Sequence, residues 1–595
     1  MKTTKNIARL AVTAGLTAAL SFGGVMAPVT MAFAAGTPTV ATEKGKVAIT
    51  DNEYADTSFK GIQIFTAKVT QDKKTDGSWD DSDAKTLSDI EWSPGNVKNL
   101  VTSALADVTG VPDANADAQT WAEFISTTQG TNFGKTTAVD AGTTLDLIAK
   151  ALERDTTLTW TKPSDSTKGS FKDLDHGYWL FVTDTPSTTS GANGNTDAYT
   201  SPIFTIVGGS DVNVTPKKDV PNVTKAVKDD KDGTFGTDVF KSPNKSADSR
   251  MDQFIEYQLT GTVASNINTY SAYTYTFTDE LPKSMTPMFT DEVGSTTPAV
   301  TVKIDGKTVR NDGYSKAFSA DNVLTVSFTN LKACVDEKNG QPITVGESSH
   351  VTVEYQAKLD SAKIFVNGKD GAINPEFDGL VGKPQENNVT LTYSNNPHAE
   401  GTGTTGTTVK HPAYDYTYGI DVTKVGSETD NPPLAGVVFT LREQGDDADT
   451  FIMANGTKTT DSKQAELTTD AEGKINVVGL DEGTYILKEV TPAPGYNNSA
   501  ANGVTFTIKS TFDQTGKNVK LDTSTIDAGK DVVMGGTATA GAGKLSFTIV
   551  DKKGSGLPLT GLNGVTFTWI AGGAVLCIGV AHLIRSRKRD DGSEE

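Results

Sequence analysis

Two sets of polar residues fall where an alternating pattern calls for apolar ones. Lys225 shares parity with Val223 and Val227. Asp279 continues the row Tyr273, Tyr275, Phe277, and Asn387 begins the row Val389, Leu391, Tyr393. Side chains two apart on a strand lie on one face, so all three polar groups are expected to point into a core. A second set repeats the arrangement. Lys424 follows Ile420 and Val422, Glu489 follows Tyr485 and Leu487, and Asp551 follows Leu545, Phe547 and Ile549. Apolar burial lowers a lysine pKa and raises a carboxyl pKa. A neutral amine is a nucleophile, and a protonated carboxyl can shuttle protons to a carboxamide. Such a trio can join Lys to Asn with loss of ammonia, or Lys to Asp with loss of water. The plainer alternative at each set is a buried salt bridge, which is costly unless well paired. Asn388 is a second possible acceptor, but its parity points it outward.

The elements that must carry these residues read as β-structure. Short alternating runs separated by Gly, Asp, Asn and Pro dominate, as in sandwiches. Helix is expected only around Leu100–Val108 and Leu145–Leu152. The run at 214–222 holds two prolines without apolar periodicity, and residues 400–409 are rich in Gly and Thr. These breaks divide the chain into an N-terminal domain (35–214), a linker (215–222), a middle domain (223–399), a linker (400–411) and a C-terminal domain (412–553). The fold class expected is mainly β: three tandem immunoglobulin-like sandwiches, with some helix in the first.

Both ends carry signals. Lys2, Lys5 and Arg9 precede an apolar stretch and the small-x-small site Ala32-Phe33-Ala34, so residues 1–34 read as a secretory signal peptide. Near the C-terminus stand Leu557-Pro558-Leu559-Thr560-Gly561, then an uncharged, mostly apolar run at 564–584, then a charged tail at 585–595 with Arg585, Arg587, Lys588 and Arg589. That run is long enough to span a bilayer, and the basic cluster is a positive-inside stop.

The 595 residues carry a net charge of −20. Removing the signal with its three basic residues, and a balanced tail beyond Thr560, leaves −23. So acidic a chain is no nucleic-acid binder, because phosphate contacts need clustered Lys and Arg. Of two cysteines, Cys577 lies in the apolar run, leaving Cys334 alone and no disulfide framework. Five scattered histidines offer no triad or metal set, so no enzyme and no cofactor are expected.

The C-terminal order of motif, span and basic tail resembles the sortase cell-wall sorting signal of Gram-positive surface proteins. The run YILKEVTPAPGY (Tyr485–Tyr496), preceded by Gly473, Gly479 and Gly483, resembles the E-box of a Cna-B type domain. With the TDELP and LTYSNNP segments (Thr278–Pro282, Leu391–Pro397), the mature chain resembles a sortase-assembled backbone pilin of Gram-positive fimbriae. The resemblance implies a Lys225–Asn387 isopeptide bond assisted by Asp279, and a Lys424 bond assisted by Glu489. The family usually has Asn where this chain has Asp551. The segment Val212–Lys217 is similar to the pilin motif, with Thr215 and Lys218 replacing its usual Tyr and Asn. Lys217 is therefore implied as the amine that accepts Thr560 of another subunit, with Lys218 as competitor. Implied partners are identical subunits, pilin-specific and housekeeping sortases, peptidoglycan, accessory pilins and host glycan or matrix ligands; the implied location is an extracellular, wall-anchored fimbrium. No bond is expected in the N-terminal domain, where Asp184 follows the strand 177–182 without a Glu in register. The rival reading is a wall-anchored adhesin or tip pilin, which would not need Lys217.

Overall fold

The computed structural model describes residues 37–554, without 82–83, 130–137, 164–167, 190, 192, 231–232, 292–293, 367–370, 400–402, 523–525, 528–532 and 539–542. The signal peptide, sorting motif, apolar run and tail lie outside the described residues. Among the described residues no helix is long and apolar enough to cross a membrane.

The chain is a series of β-sandwich domains with helices in the N-terminal part. There, a sheet built on the long strand Ser58–Lys73 pairs with Gly177–Thr185, which pairs in turn with Ile203–Val207. Its face packs on the helices Val97–Ala104, Ala118–Gln129 and Thr144–Arg154, with Trp121, Ile148 and Leu152 buried between. A small sheet in the order Ser170–Leu174, Gly45–Ile49, Val212–Val214 packs on the opposite face of the main sheet, against Phe59, Trp179 and Phe181. The helix Ala118–Gln129 is absent from the sequence expectation. Its Trp, Thr, Ser and Phe residues have modest helix propensity, and packing of Trp121, Ala122 and Ile125 overrides it. Asp117 caps its start by accepting the Thr120 N–H at 2.8 Å.

The middle domain stacks two sheets. One contains Val223–Lys228 at its edge, then Phe254–Thr262, His350–Leu359 and Val300–Ile304. The other runs His411–Tyr416, Gln385–Ser394, Tyr275–Glu280, Val323–Phe328. Inward residues alternate along His350–Leu359 with Val351, Val353, Tyr355, Ala357 and Leu359 all buried. Cys334 is buried in this core, where burial pushes its thiol up to about 11. The strand His411–Tyr416 pairs with Gln385–Ser394, so the chain enters the C-terminal domain only after it.

The C-terminal domain is likewise two-layered. Lys474–Leu480, Tyr418–Gly426, Lys544–Asp551 and Val533–Ala538 make one sheet. Val438–Glu443, Gly483–Thr491 and Val504–Ile508 lie in the other. Its first and last strands run side by side in parallel, with Lys424 opposite Ile549 and Gly426 opposite Asp551.

Domains meet through main-chain hydrogen bonds. Tyr199 N–H donates to Asn395 O at 2.8 Å between the first two. Met251 N–H donates to Gly479 O at 3.0 Å between the last two.

Candidate cross-linking sites

Lys225 leaves the edge strand of one middle sheet and crosses the interior to Asp279 and Asn387, which stand on adjacent strands of the facing sheet. The Lys225 and Asp279 side chains are fully buried and ion-paired. Tyr355 stands between the three groups. Its hydroxyl accepts from Lys225 Nζ at 3.1 Å and from Asn387 Nδ2 at 2.8 Å, and donates to Asp279 Oδ2. Lys225 Nζ lies 5.1 Å from the Tyr257 ring centre and 5.6 Å from that of Tyr355. Burial pushes the Lys225 amine down to about 8 against the pull of Asp279. Burial likewise raises Asp279, although Lys225 and the Tyr355 hydrogen bond hold it back. The two shifts favour a neutral amine beside a neutral acid, the state in which amine attack is feasible. Asn387 Oδ1 is buried without a hydrogen-bond partner. Asn388 is turned away, with its Nδ2 donating to Glu386 Oε1 at 3.0 Å.

In the C-terminal domain Lys424 Nζ lies 2.8 Å from Glu489 Oε2 and 2.5 Å from Asp551 Oδ1, all three side chains being fully buried. Lys424 and Asp551 share one sheet, and Glu489 comes from the sheet opposite. One cation cannot balance two buried carboxylates, so one acid is expected to hold a proton. Burial lifts Glu489 to about 7, with Lys424 drawing it down and Asp551 adding to the rise. Glu489 Oε1 and Asp551 Oδ2 have no hydrogen-bond partner. Ser499 donates to Asp551 Oδ1 through both Oγ (2.5 Å) and N–H (3.2 Å), which fixes the carboxyl beside the amine.

Tyr355 and Ser499 escape sequence reasoning. Tyr355 sits on an inward row and reads as one more core aromatic; the signal was its polar tip. Ser499 lies in the loop after the E-box, where no periodicity marks it.

The N-terminal domain has a different buried lysine. Lys218 Nζ lies 2.5 Å from both Asp51 Oδ2 and Asp197 Oδ1, and 3.1 Å from Thr57 Oγ1. Backbone N–H groups donate to both acids. Asp51 Oδ1 accepts from Glu53 and Tyr54; Asp197 accepts from Ser187 and Ala198. Among the described residues no backbone N–H reaches the Asp279 or Glu489 carboxyl. Asp184 meets Lys162 at 2.5 Å on a partly exposed surface.

Lys217 is half-buried beside this clamp. Its N–H donates to Thr200 Oγ1 at 2.9 Å, and its carbonyl accepts from the Ser201 N–H at 2.8 Å. Its amine has no carboxylate partner among the described residues, and partial burial lowers its pKa. Among those residues no group of three or more His, Cys, Asp or Glu could hold a metal.

Residues 419–531 match one family model. The matching model is that of the SpaA prealbumin-like fold domain. This domain contains Lys424 and Glu489 and stops short of Asp551. Solved structures similar to two thirds or more of the chain include three Gram-positive pilins. The T6 backbone pilin of Streptococcus pyogenes is 14% identical, with a TM-score of 0.45, covering 86% of this chain and 99% of its own. The major pilin SpaD of Corynebacterium diphtheriae is 13% identical, with a TM-score of 0.38, covering 86% and 98%. The major pilin RrgB of Streptococcus pneumoniae is 14% identical, with a TM-score of 0.36, covering 67% and 88%. No curated protein matches the sequence.

Proposed function

We propose that this chain is the shaft subunit of a covalently polymerised cell-surface pilus, stabilised by two self-formed isopeptide bonds. The observation that carries the reading is the pair of fully buried lysines, each set against an acid and an acceptor inside its sandwich. In the middle domain Lys225 Nζ attacks the Asn387 side-chain carbonyl carbon. The C–N bond to Nδ2 breaks, and ammonia leaves with protons passed through Asp279. In the C-terminal domain Lys424 attacks Asp551, and water leaves with Glu489 as proton carrier.

Between subunits, a sortase cysteine cuts Thr560–Gly561 and holds the Thr560 carbonyl as a thioester. The Lys217 amine of the next subunit displaces the thiol. Lys217 suits this better than Lys218, whose amine is locked between Asp51 and Asp197. A housekeeping sortase would attach the finished fibre to peptidoglycan.

Lys217→Ala in the native host is expected to abolish SDS-resistant high-mass ladders while monomer remains; ladders that persist refute the linkage. The intact mass of the mature chain should be low by one ammonia and one water. An undiminished mass refutes both internal bonds.

A further inference from the structure

The strand Val212–Val214 ends four residues before Lys218, at the open edge of the sheet Ser170–Leu174, Gly45–Ile49, Val212–Val214. It pairs in parallel with Gly45–Ile49 on one side. Thr50 N–H donates to Val214 O at 2.9 Å. In a parallel ladder alternate residues present their N–H and C=O to the same neighbour. Val212 and Val214 therefore bond inward, and the N–H and C=O of Asn213 and Thr215 face the open side. Both residues are exposed, and their main-chain groups have no partner among the described residues. An unpaired edge of this kind is a template for another extended chain.

We propose that residues 555–559 of a second copy of this chain add to this edge as a parallel strand, which lays Thr560 beside Lys217. The proposal rests on the linkage described above and deepens it by naming how the donor segment is held. Its occupant follows from reach. Among the described residues the last main-chain hydrogen bond of the C-terminal domain is Gly554 N–H to Gly495 O at 2.9 Å. Five residues separate Gly554 from Thr560, a leash of about 20 Å over the six Cα–Cα steps when extended. Chain of that length suffices to cover this edge and leaves little to spare.

The register also fits. Setting Thr560 opposite Lys217 places Leu557 opposite Val214. Asn213 N–H then donates to Ser555 O, and Asn213 O accepts from Leu557 N–H. Thr215 N–H donates to Leu557 O, and Thr215 O accepts from Leu559 N–H. Pro558, which has no N–H, falls at a position that faces away from the edge and needs none. A slip of one residue would put Pro558 where a donor is required.

The test is amide hydrogen exchange in fibres from the native host, compared with unpolymerised Lys217→Ala protein. The Asn213 and Thr215 amides should exchange at least about tenfold more slowly in fibres, the signature of a hydrogen bond gained. Asn213→Pro removes one open donor without touching the bonds to Gly45–Ile49. It should cut ladder yield about tenfold, as expected for one lost contact, with an unchanged melting temperature. Unslowed exchange in fibres that do depend on Lys217 overturns the docking and leaves the linkage standing. Ladders that persist in Lys217→Ala overturn the linkage itself.

Discussion

Burial alone does not make a lysine reactive; what its partners accept decides. Asp51 and Asp197 each receive backbone N–H donors in addition to the Lys218 amine that lies between them. Asp279 receives only the Tyr355 hydroxyl and Lys225 itself, so a proton can pass between acid and amine. If the Lys225 amine is consumed in an amide, it no longer titrates. In Asn387→Ala it survives, with a pKa near 8 in the folded state and about 10.4 when unfolded. The unfolded chain then binds the extra proton between those values, so stability rises with pH across that window, by about 3 kcal/mol. Denaturant midpoints measured at pH values from about 7 to 10 should show this gain in the variant and not in the native protein. A flat variant profile would contradict it. Alternation along strands was legible enough to bring Lys225, Asp279, Asn387, Lys424, Glu489 and Asp551 onto inward faces. It says nothing of hydroxyls that bridge across sheets, which is why Tyr355 needed the structure.

At the level of strands, the two cores tie their ends differently. In the C-terminal domain the first and last strands are neighbours in one sheet, and Lys424 meets Asp551 diagonally across the ladder. In the middle domain Lys225 and Asn387 come from facing sheets. Bonds there would close loops of 127 and 162 residues between the joined positions. Loop-closure entropy depends on the logarithm of length, so each closure is worth about 5 kcal/mol despite the difference. Asp551→Ala should therefore lower only the C-terminal transition in calorimetry, and Asn387→Ala only the middle one. A variant that shifts both equally would show that the domains do not unfold as separate units. The alternating strands were readable from period-two patterning. The partner of each strand was not: His411–Tyr416 joins the middle sheet because Gln385–Ser394 offers it an open side, a fact of topology that no local pattern carries.

Across the whole molecule the joint between the last two domains is acidic inside. Asp229, Asp248, Asp415 and Asp481 are all buried there. Asp248 Oδ2 accepts from Tyr418 and Ser510 at 2.8 Å each, and Asp415 Oδ2 accepts from Ser249 at 2.7 Å. Burial raises Asp248, with the charge of Asp229 adding to the rise, and burial raises Asp415 well above its ordinary value, with the charges of Asp248 and Asp229 adding to it. A carboxyl whose folded pKa is raised contributes stability at low pH and loses it as pH climbs through that value. The joint is therefore expected to be tightest in acid. Small-angle scattering should show the two domains gaining relative freedom as pH rises, and Asp415→Asn should flatten that dependence. A joint indifferent to pH in the native protein would contradict this account.

The buried thiol of Cys334 bears on how such a protein travels. With its pKa near 11 it stays protonated at neutral pH, and a protonated thiol is neither a nucleophile nor a ready disulfide partner. None of the candidate bonds involves sulfur. Thiol–disulfide exchange thus has nothing to write or erase among the described residues. A fold without a disulfide among its described residues is the same object in reducing and in oxidising surroundings, and a fibre joined by the proposed amide bonds would not be unpicked by thiols.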